Sequence, residues 1–357
     1  MSTPLAGSER TRLDAFVALA DDGISPRDQR DLMSHPFFSL AKGRRAAPIL
    51  YEAGGIRVEV RGFPEHGIAT IWDADVLIWA ASQIVEAADQ GLRTSRFFRF
   101  RPYQLLLAIG RGPGQSQYVR LKQALQRLQS TVVLTTIRHG INWRRMQFSW
   151  INEWEELVDA RGQSHGVEFV LPEWFYRGVL DRSLVLTIDP AYFALTGGIE
   201  RWLYRVARRH AGHQPQGWAF ELRHLYAKSG SAARFSDFAL DLRRIAARQS
   251  LPGYDLFIEL AGARKLLRVV PRRLSTGTVD SSVEAIRRSG AHAIRRSGAT
   301  LSADQAHGSQ LTLWPATRNG ARNESNSKES NSSVVGGEKL GIRTNGAARP
   351  SRPMRRQ

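Results

Sequence analysis

The 357-residue chain contains no cysteine, which excludes disulfides, thiolate catalysis and cysteine-ligated zinc sites. No apolar run reaches the roughly 18 residues that a membrane-spanning helix needs. The first residues also lack the basic and apolar regions of a signal peptide. We therefore expect a cytoplasmic protein with no membrane partner.

The chain also lacks the sequence motifs of phosphate-loop nucleotide hydrolases and of DNA-nicking enzymes. The glycine-rich stretch Gly110–Gly114 lacks the Lys-Ser/Thr pair of a phosphate loop and is interpreted as a turn. Rolling-circle initiators combine a tyrosine with a His-apolar-His metal site, and no His-x-His occurs here. His210 and His213 without a carboxylate at ligand spacing make a weak zinc site. The sequence predicts no enzyme activity, metal or other cofactor, and leaves a nicking enzyme or nuclease as an alternative.

Acidic residues are few relative to basic ones. The chain carries 33 Asp and Glu against 51 Lys and Arg, which gives a net charge of +18. Only six of the basic residues are lysines. Arginine forks suit phosphate and guanine recognition, although a GC-rich genome also favours arginine. A net charge of this size favours a polyanionic partner.

Large apolar residues become scarce towards the C-terminus. From Arg264 onward the chain has 18 basic and six acidic residues, so most of the net charge lies there. The heptapeptide AIRRSGA occurs at 285–291 and again at 293–299. Such a segment cannot bury enough apolar surface to order itself. We predict a disordered basic tail over 273–357, which either binds nucleic acid nonspecifically or is simply solvated.

The stretch Ser116–Ile137 organises the first half of the chain. Leu121, Ala124, Leu125 and Leu128 fall at helical spacing and predict one apolar face, with basic and amide side chains opposite. A β-branched strand follows at 131–137, and a short helix at 102–109 precedes the glycine-rich turn. This order predicts a helix-turn-helix followed by a wing.

The same order recurs about a hundred residues later. A helix at 218–228 and a turn precede a basic helix at 236–249, whose apolar face is Phe238, Leu242 and Ile245. A strand at 254–260 then leads into a turn. We predict that Ser236 caps the basic helix, and that Asp237 and Asp241 either orient Arg244 by i,i+3 pairing or accept hydrogen bonds from cytosine amino groups. The predicted DNA contacts are Arg234, Ser236, Asp237, Arg243, Arg244 and Arg248 on this helix, Arg264, Lys265 and Arg268 at the wing, and Arg120, Lys122 and Arg127 on the first basic helix.

These assignments have simpler alternatives. The charged helix faces could be solvated and hold ordinary ion pairs, and the wing cations could only cover a sheet edge. The alternation RFFRFR at 96–101 suggests base stacking in an RNA- or single-strand-binding protein, or a strand that buries Phe98 and Phe100. We expect residues 1–34 to be a flexible arm with a short helix near 13–20, and a strong helix at 76–89 capped by Asp73 or Asp75.

Several ordered blocks resemble the plasmid replication initiators of the replication initiator protein A type, over about residues 33–272. The blocks are HPFFSLAKGRR (35–45), GIATIWDADVLIWAASQI (67–84), GGIERWLYRVARRHAG (197–212), FSDFALDLRRIA (235–246) and LPGYDL (251–256). The resemblance implies an α+β fold with two tandem winged-helix domains. We place these at 35–190, with extra strands, and at 191–272, followed by the disordered basic tail.

The resemblance also implies a function. Such an initiator binds repeated duplex sites at a plasmid origin, promotes origin opening and recruits the host replication initiator and helicase. It is expected to form a homodimer in equilibrium with the monomer, with one winged helix mainly dimerising or contacting the DNA backbone and the C-terminal one reading bases. The alternative is a winged-helix transcriptional repressor or partition regulator without initiation activity, because each needs the same duplex readout.

Overall fold

The computed structural model describes residues 13–20, 23–138, 146–160, 164–212, 214–262 and 264–272. The predicted tail at 273–357 lies outside the described residues. The helices are α1 (Arg30–Ser34), α2 (Ala74–Asp89), α3 (Pro102–Ala108), α4 (Gln115–Ser130), α5 (Glu173–Leu180), α6 (Gly198–His210), α7 (Leu222–Ser229) and α8 (Phe235–Arg248). The strands are β1 (Phe16–Val17), β2 (Arg27–Gln29), β3 (Ile49–Ala53), β4 (Ile56–Gly62), β5 (Phe97–Phe100), β6 (Thr131–Thr135), β7 (Met146–Ser149), β8 (Glu153–Val158), β9 (Ser164–Val170), β10 (Val185–Thr187), β11 (Trp218–Glu221), β12 (Tyr254–Ala261) and β13 (Arg264–Pro271). This mixture confirms the predicted α+β class.

One structural unit occurs twice along the chain. In the first copy α2 precedes β5, α3, α4 and the β8–β9 hairpin, and the strands lie in the order β5-β9-β8. In the second copy α6 precedes β11, α7, α8 and the β12–β13 hairpin, with the order β11-β13-β12. All these pairings are antiparallel. The internal repetition predicted from the sequence is therefore present, with matching strand order.

The strand directly after α4 does not form the hairpin of the first unit. β6 pairs with β4 and β7 in a separate sheet of order β3-β4-β6-β7. The hairpin of the first unit that corresponds to β12–β13 of the second is β8–β9, about twenty residues further on. The prediction of a wing at 131–137 was wrong because an alternating apolar run fits any half-buried sheet equally well.

Helices α2 and α6 lie at the centre of the hydrophobic core. α2 buries residues on nearly every side, and Gly91, with φ +73°, follows its C-terminus. Asp73 is the N-cap by position, but its side chain makes no cap hydrogen bond to the helix. It accepts instead from the Thr70 amide at 2.7 Å and from the Thr70 hydroxyl at 3.0 Å.

The described part of the first 34 residues belongs to the core, contrary to the flexible arm that we predicted. Phe16 is buried and packs edge-on against Phe98, with ring centroids 4.9 Å apart. Its neighbourhood is a short strand and not the predicted helix, because Phe16 and Ala18 alternate with an exposed residue. β2 pairs with β10, and Asp28 is bonded to α6, as described below.

Two further predictions differ from the structure. Residues 218–221 form β11, which pairs with β13, so the predicted helix at 218–228 is only α7. The apolar segment at 67–72, whose sequence also predicts a strand, makes only isolated bridges, one of them between Ser39 and Thr70. All described residues fall in one compact unit, and the boundary at 190/191 stays a prediction.

Candidate nucleic-acid interface

Helix α8 separates its apolar and charged sides cleanly. Phe238, Leu242 and Ile245 are buried, as predicted from their spacing. The helix begins at Phe235 with Arg234 in the cap position, so the prediction of Ser236 as N-cap was wrong. The Ser236 hydroxyl lies 3.2 Å from a carboxylate oxygen of Asp237, and Asp237 also pairs with Arg234 at 3.1 Å. These three polar residues thus bond to one another at the helix start.

Arg243 and Arg244 lie on the solvent side of α8. Both are exposed, and Arg244 makes a loose pair with Asp241 at 3.5 Å, as the i,i+3 spacing predicted. Arg243 has no carboxylate within ion-pair distance among the described residues. The two guanidinium groups are therefore free to meet an external anion.

Arg248 is engaged in an ion pair within the fold. Its Nη2 donates to Glu200 Oε1 of α6 at 2.7 Å, and the Ser250 hydroxyl donates to the same oxygen at 2.8 Å. Burial alone would raise the pKa of Glu200. The hydrogen bonds from Ser250, Arg248 and the Gly197 amide outweigh burial and lower that pKa below its usual range. Arg248 thus ties α8 to α6 and is less available for DNA.

The β12–β13 hairpin carries the predicted wing cations at its tip. Arg264 and Lys265 are exposed and lie opposite Ala261 and Leu260 in the strand register. Leu260 is 74% exposed. Arg268 lies further back and pairs with Glu259 at 2.6 Å, so it stabilises the hairpin across its two strands. Of the three predicted wing contacts, Arg264 and Lys265 are presented to solvent.

Helix α4 buries Leu121, Ala124, Leu125 and Leu128, as predicted. Its cations are mostly occupied. Lys122 pairs with Glu156 of β8 at 2.7 Å and lowers the pKa of that carboxyl below its usual range. Arg127 forms a bidentate pair with Asp73 at 2.7 and 2.8 Å.

The hydrogen bonds that Arg127 donates to Asp73 raise the pKa of Arg127, so this guanidinium is firmly charged and fixed. Arg120 is exposed and has no carboxylate partner among the described residues. Of the three α4 cations that the sequence singled out, Arg120 therefore offers the freest charge. The remaining two hold α4 against β8 and against the start of α2.

Sequence reasoning missed two buried arginines of α6. Arg205 donates to both oxygens of Asp28 at 2.6 and 3.0 Å, and both side chains are almost fully buried. Arg201 donates to Asp75 at 2.7 Å, and Arg111 donates to the other oxygen of Asp75 at 2.8 Å. The sequence held one indication of these buried pairs. Arg201 and Arg205 lie four residues apart, on the side of the helix that also carries its apolar residues.

The aromatic strand β5 does not present its rings to solvent. Phe97, Phe98 and Phe100 are buried, and the Phe98 ring stacks on Phe169 with centroids 5.3 Å apart. Base stacking on these rings would need the core to open, so the burial contradicts that alternative. Arg99, between them, pairs with Glu168.

The described residues contain no group of three or more potential metal ligands close enough to share an ion. His210 packs edge-on against Phe220, and burial lowers its pKa to about 3. The second histidine of the motif, His213, lies outside the described residues. Within the same described ranges, every helix is too short or too polar to cross a membrane.

Three comparisons with known proteins bear on this arrangement. The family described as "Replication initiator protein A" matches residues 27–256. A curated protein of Wigglesworthia glossinidia brevipalpis named "Putative replication protein" is 30% identical over 244 residues, which covers 67% of this chain and 87% of the relative.

A crystal structure of domains 2 and 3 of RctB superposes with a TM-score of 0.50 at 16% identity, and it covers 70% of this chain and all of that one. At this identity the likeness concerns the fold. The family match runs from β2 into β12, so it covers the first repeated unit and the second as far as the start of its hairpin. On this match and the Wigglesworthia relative, the chain belongs to the replication initiator protein A family.

Proposed function

We propose that the protein initiates plasmid replication by binding repeated duplex sites at the origin. Each repeated unit acts as a winged helix, with α4 or α8 as recognition helix and β8–β9 or β12–β13 as wing. The order helix, strand, helix, helix, hairpin and the shared strand order support this assignment. Membership of the initiator family supports the replication role.

The observation that carries the binding proposal is the open face of α8. A recognition helix must dock on its own domain by one side and leave the other free for the major groove. Phe238 and Leu242 meet the first condition, and the unoccupied Arg243 and loosely paired Arg244 meet the second. Arg264 and Lys265 at the β12–β13 tip are placed to meet phosphates or the minor groove.

The two units are not equivalent in this proposal. α8 keeps two solvent-facing arginines, whereas two of the three α4 cations are held by Asp73 and Glu156. We therefore assign base readout to the second unit and backbone contact or dimerisation to the first. Origin opening and recruitment of the host initiator and helicase follow from the family role, as does a dimer in equilibrium with the monomer. The protein acts on DNA in the cytoplasm, without catalysis.

A duplex-binding titration tests the readout. Arg243→Ala or Arg244→Ala should each weaken binding to an origin repeat by about 1–3 kcal/mol and blur discrimination against a mutated repeat. Arg177→Ala, which removes an exposed arginine of α5, is the matched control and should leave both unchanged. Unchanged affinity in both α8 variants would remove α8 from the interface.

A replication assay separates an initiator from a repressor or partition regulator. A plasmid that carries this gene and its flanking repeats should replicate, and deletion of the gene should abolish replication unless the protein is supplied in trans. Persistence of the plasmid without the gene would favour the regulator. A cleavage assay on supercoiled origin DNA with divalent metal should yield no nicked product.

A further inference from the structure

A cleft of about 660 Å³ lies beside helix α4, and none of its lining residues belongs to α8. Its walls come from the loop at 42–44, the segment 66–73, one side of α4 and the segment 193–196. None of the predicted functional roles uses this cleft as a whole. Its size falls within the range of small-molecule sites in proteins, roughly 300–1,000 Å³.

Positive charge dominates the lining of the cleft. Six cations contribute to it, whereas Asp73 is the only acidic residue of the described chain among its lining residues. The cations are Lys42, Arg44, Arg111, Arg120, Arg127 and Arg201. A concave site with one sign of charge and low-dielectric walls concentrates the field that attracts an anion.

Three of these arginines are fixed by buried carboxylates. Arg127 is bidentate to Asp73, and Arg111 and Arg201 share Asp75, which is almost completely buried. Arg201 also donates to the backbone oxygen of Leu195 at 2.7 Å. The guanidinium groups therefore border the cleft at set positions, so a ligand would lose little entropy in ordering them.

The other three cations lack a carboxylate partner within the described residues. Arg120 and Lys42 are exposed, and Lys42 lies 5.8 Å from the centre of the Trp72 ring. Arg44 is held only by the Glu65 backbone oxygen at 3.4 Å. Within the described residues, two carboxylates, Asp73 and Asp75, pair with three of the six cations, and the other three positive charges are not compensated.

The remaining walls of the cleft are apolar and partly aromatic. Trp72 and Phe193 are half-buried, and Ile68 and Leu195 complete this side. A planar heterocycle can lie against such rings, while a chain of phosphates meets the guanidinium forks, which match phosphate geometry. The six cations converge on one concave site. A DNA backbone instead presents an extended row of negative charges, one per about 1.7 Å of duplex, so the cleft suits a compact anion better.

We propose that this cleft binds a nucleoside polyphosphate. The phosphates contact Arg120, Lys42 and the outward edges of the fixed arginines, and the base packs on the Trp72 side. The site is separate from base readout by α8 and would let a small molecule act on the protein next to α4. It does not depend on the proposed function, because the ligand can be measured without DNA.

Calorimetric titration of the full chain with ATP, GTP and inorganic tripolyphosphate tests the proposal. One site should bind ATP or GTP more tightly than tripolyphosphate. Arg120→Glu and Lys42→Glu should each weaken nucleotide binding by about tenfold or more, because each removes a charge-assisted contact and adds repulsion. Arg177→Glu makes the same charge change on α5 and should leave binding unchanged. Arg120→Gln, which keeps a neutral side chain of similar length, should weaken binding less than Arg120→Glu.

Three results would overturn the proposal. Equal weakening by all three charge reversals would assign binding to the overall positive charge of the chain. If tripolyphosphate bound as tightly as ATP, the base would make no contribution to binding in the cleft. Loss of duplex affinity in the Arg120→Glu and Lys42→Glu variants with unchanged nucleotide affinity would make the cleft a DNA-backbone contact. Thermal melts of each variant check that the exposed substitutions leave the fold intact.

Discussion

Replacement of Arg205 by Met would leave the carboxylate of Asp28 buried without its partner. Arg205 and Asp28 are 2% and 1% exposed, and two hydrogen bonds join them. In the folded variant the carboxylate would keep only the bond from the Gln29 amide at 2.8 Å. Breaking one side of a buried ion pair costs about 3–5 kcal/mol, a large share of the roughly 5–15 kcal/mol that stabilises a typical domain.

Urea denaturation, followed by tryptophan fluorescence, measures this loss. Arg177→Ala is the control, because Arg177 is 77% exposed in its i,i+4 pair with Glu173, and such pairs contribute only about 0.3–0.5 kcal/mol. The double variant Asp28→Leu/Arg205→Met should recover much of the stability, since it removes both charges. A loss below about 1 kcal/mol for Arg205→Met would refute the reasoning that the pair anchors residues 27–34 to α6.

Three further predictions follow from other contacts. Burial lowers the pKa of His35 to about 4 and that of His210 to about 3. Below about pH 6.5 these two imidazoles therefore bind protons in the unfolded chain but stay neutral in the folded one. Each histidine should lower the free energy of unfolding by about 2 kcal/mol between pH 7 and pH 5. His210→Gln should flatten this slope in pH-dependent melts, whereas Arg177→Ala, which removes no imidazole, should not. Gly198→Ala should lower the melting temperature by several degrees, because its Cβ would lie 2.0 Å from the Leu40 carbonyl oxygen; an unchanged melt would mean that the backbone shifts freely there. Arg248→Ala should lower stability more than Arg243→Ala does, because it leaves Glu200 short of a partner; equal melts would contradict the structural role of Arg248.

Helical periodicity correctly predicted the buried faces of helices in both repeated units. Phe238, Leu242 and Ile245 were placed on one face from spacing alone, and they are buried. The same holds for the apolar face of α4. Such faces are readable because helix geometry brings residues three and four apart to one side. The two consecutive helices of each repeated unit were readable for the same reason, whereas the strands of the repeat were not.

Strand pairing and long-range ion pairing could not be read from the sequence. The run at 131–137 has the composition of a wing strand, but its partners are β4 and β7, and nothing local distinguishes these from β5. Arg205 and Asp28 lie 177 residues apart, and Arg201 and Asp75 lie 126 apart. Contacts of that range depend on the assembled core, so the flexible arm was predicted wrongly and the cationic cleft was missed.

The buried pairs of α6 have a mechanical consequence. α6 is the first helix of the second unit. Its Arg201 pairs with Asp75 of α2, and its Arg205 pairs with Asp28 of β2. The two units therefore cannot rotate independently of each other, and the distance between α4 and α8 is set by the core. A duplex that engages both helices must present its two contact points at one fixed phase of the double helix, so adding half a turn of DNA between them should be tolerated far less than adding a whole turn.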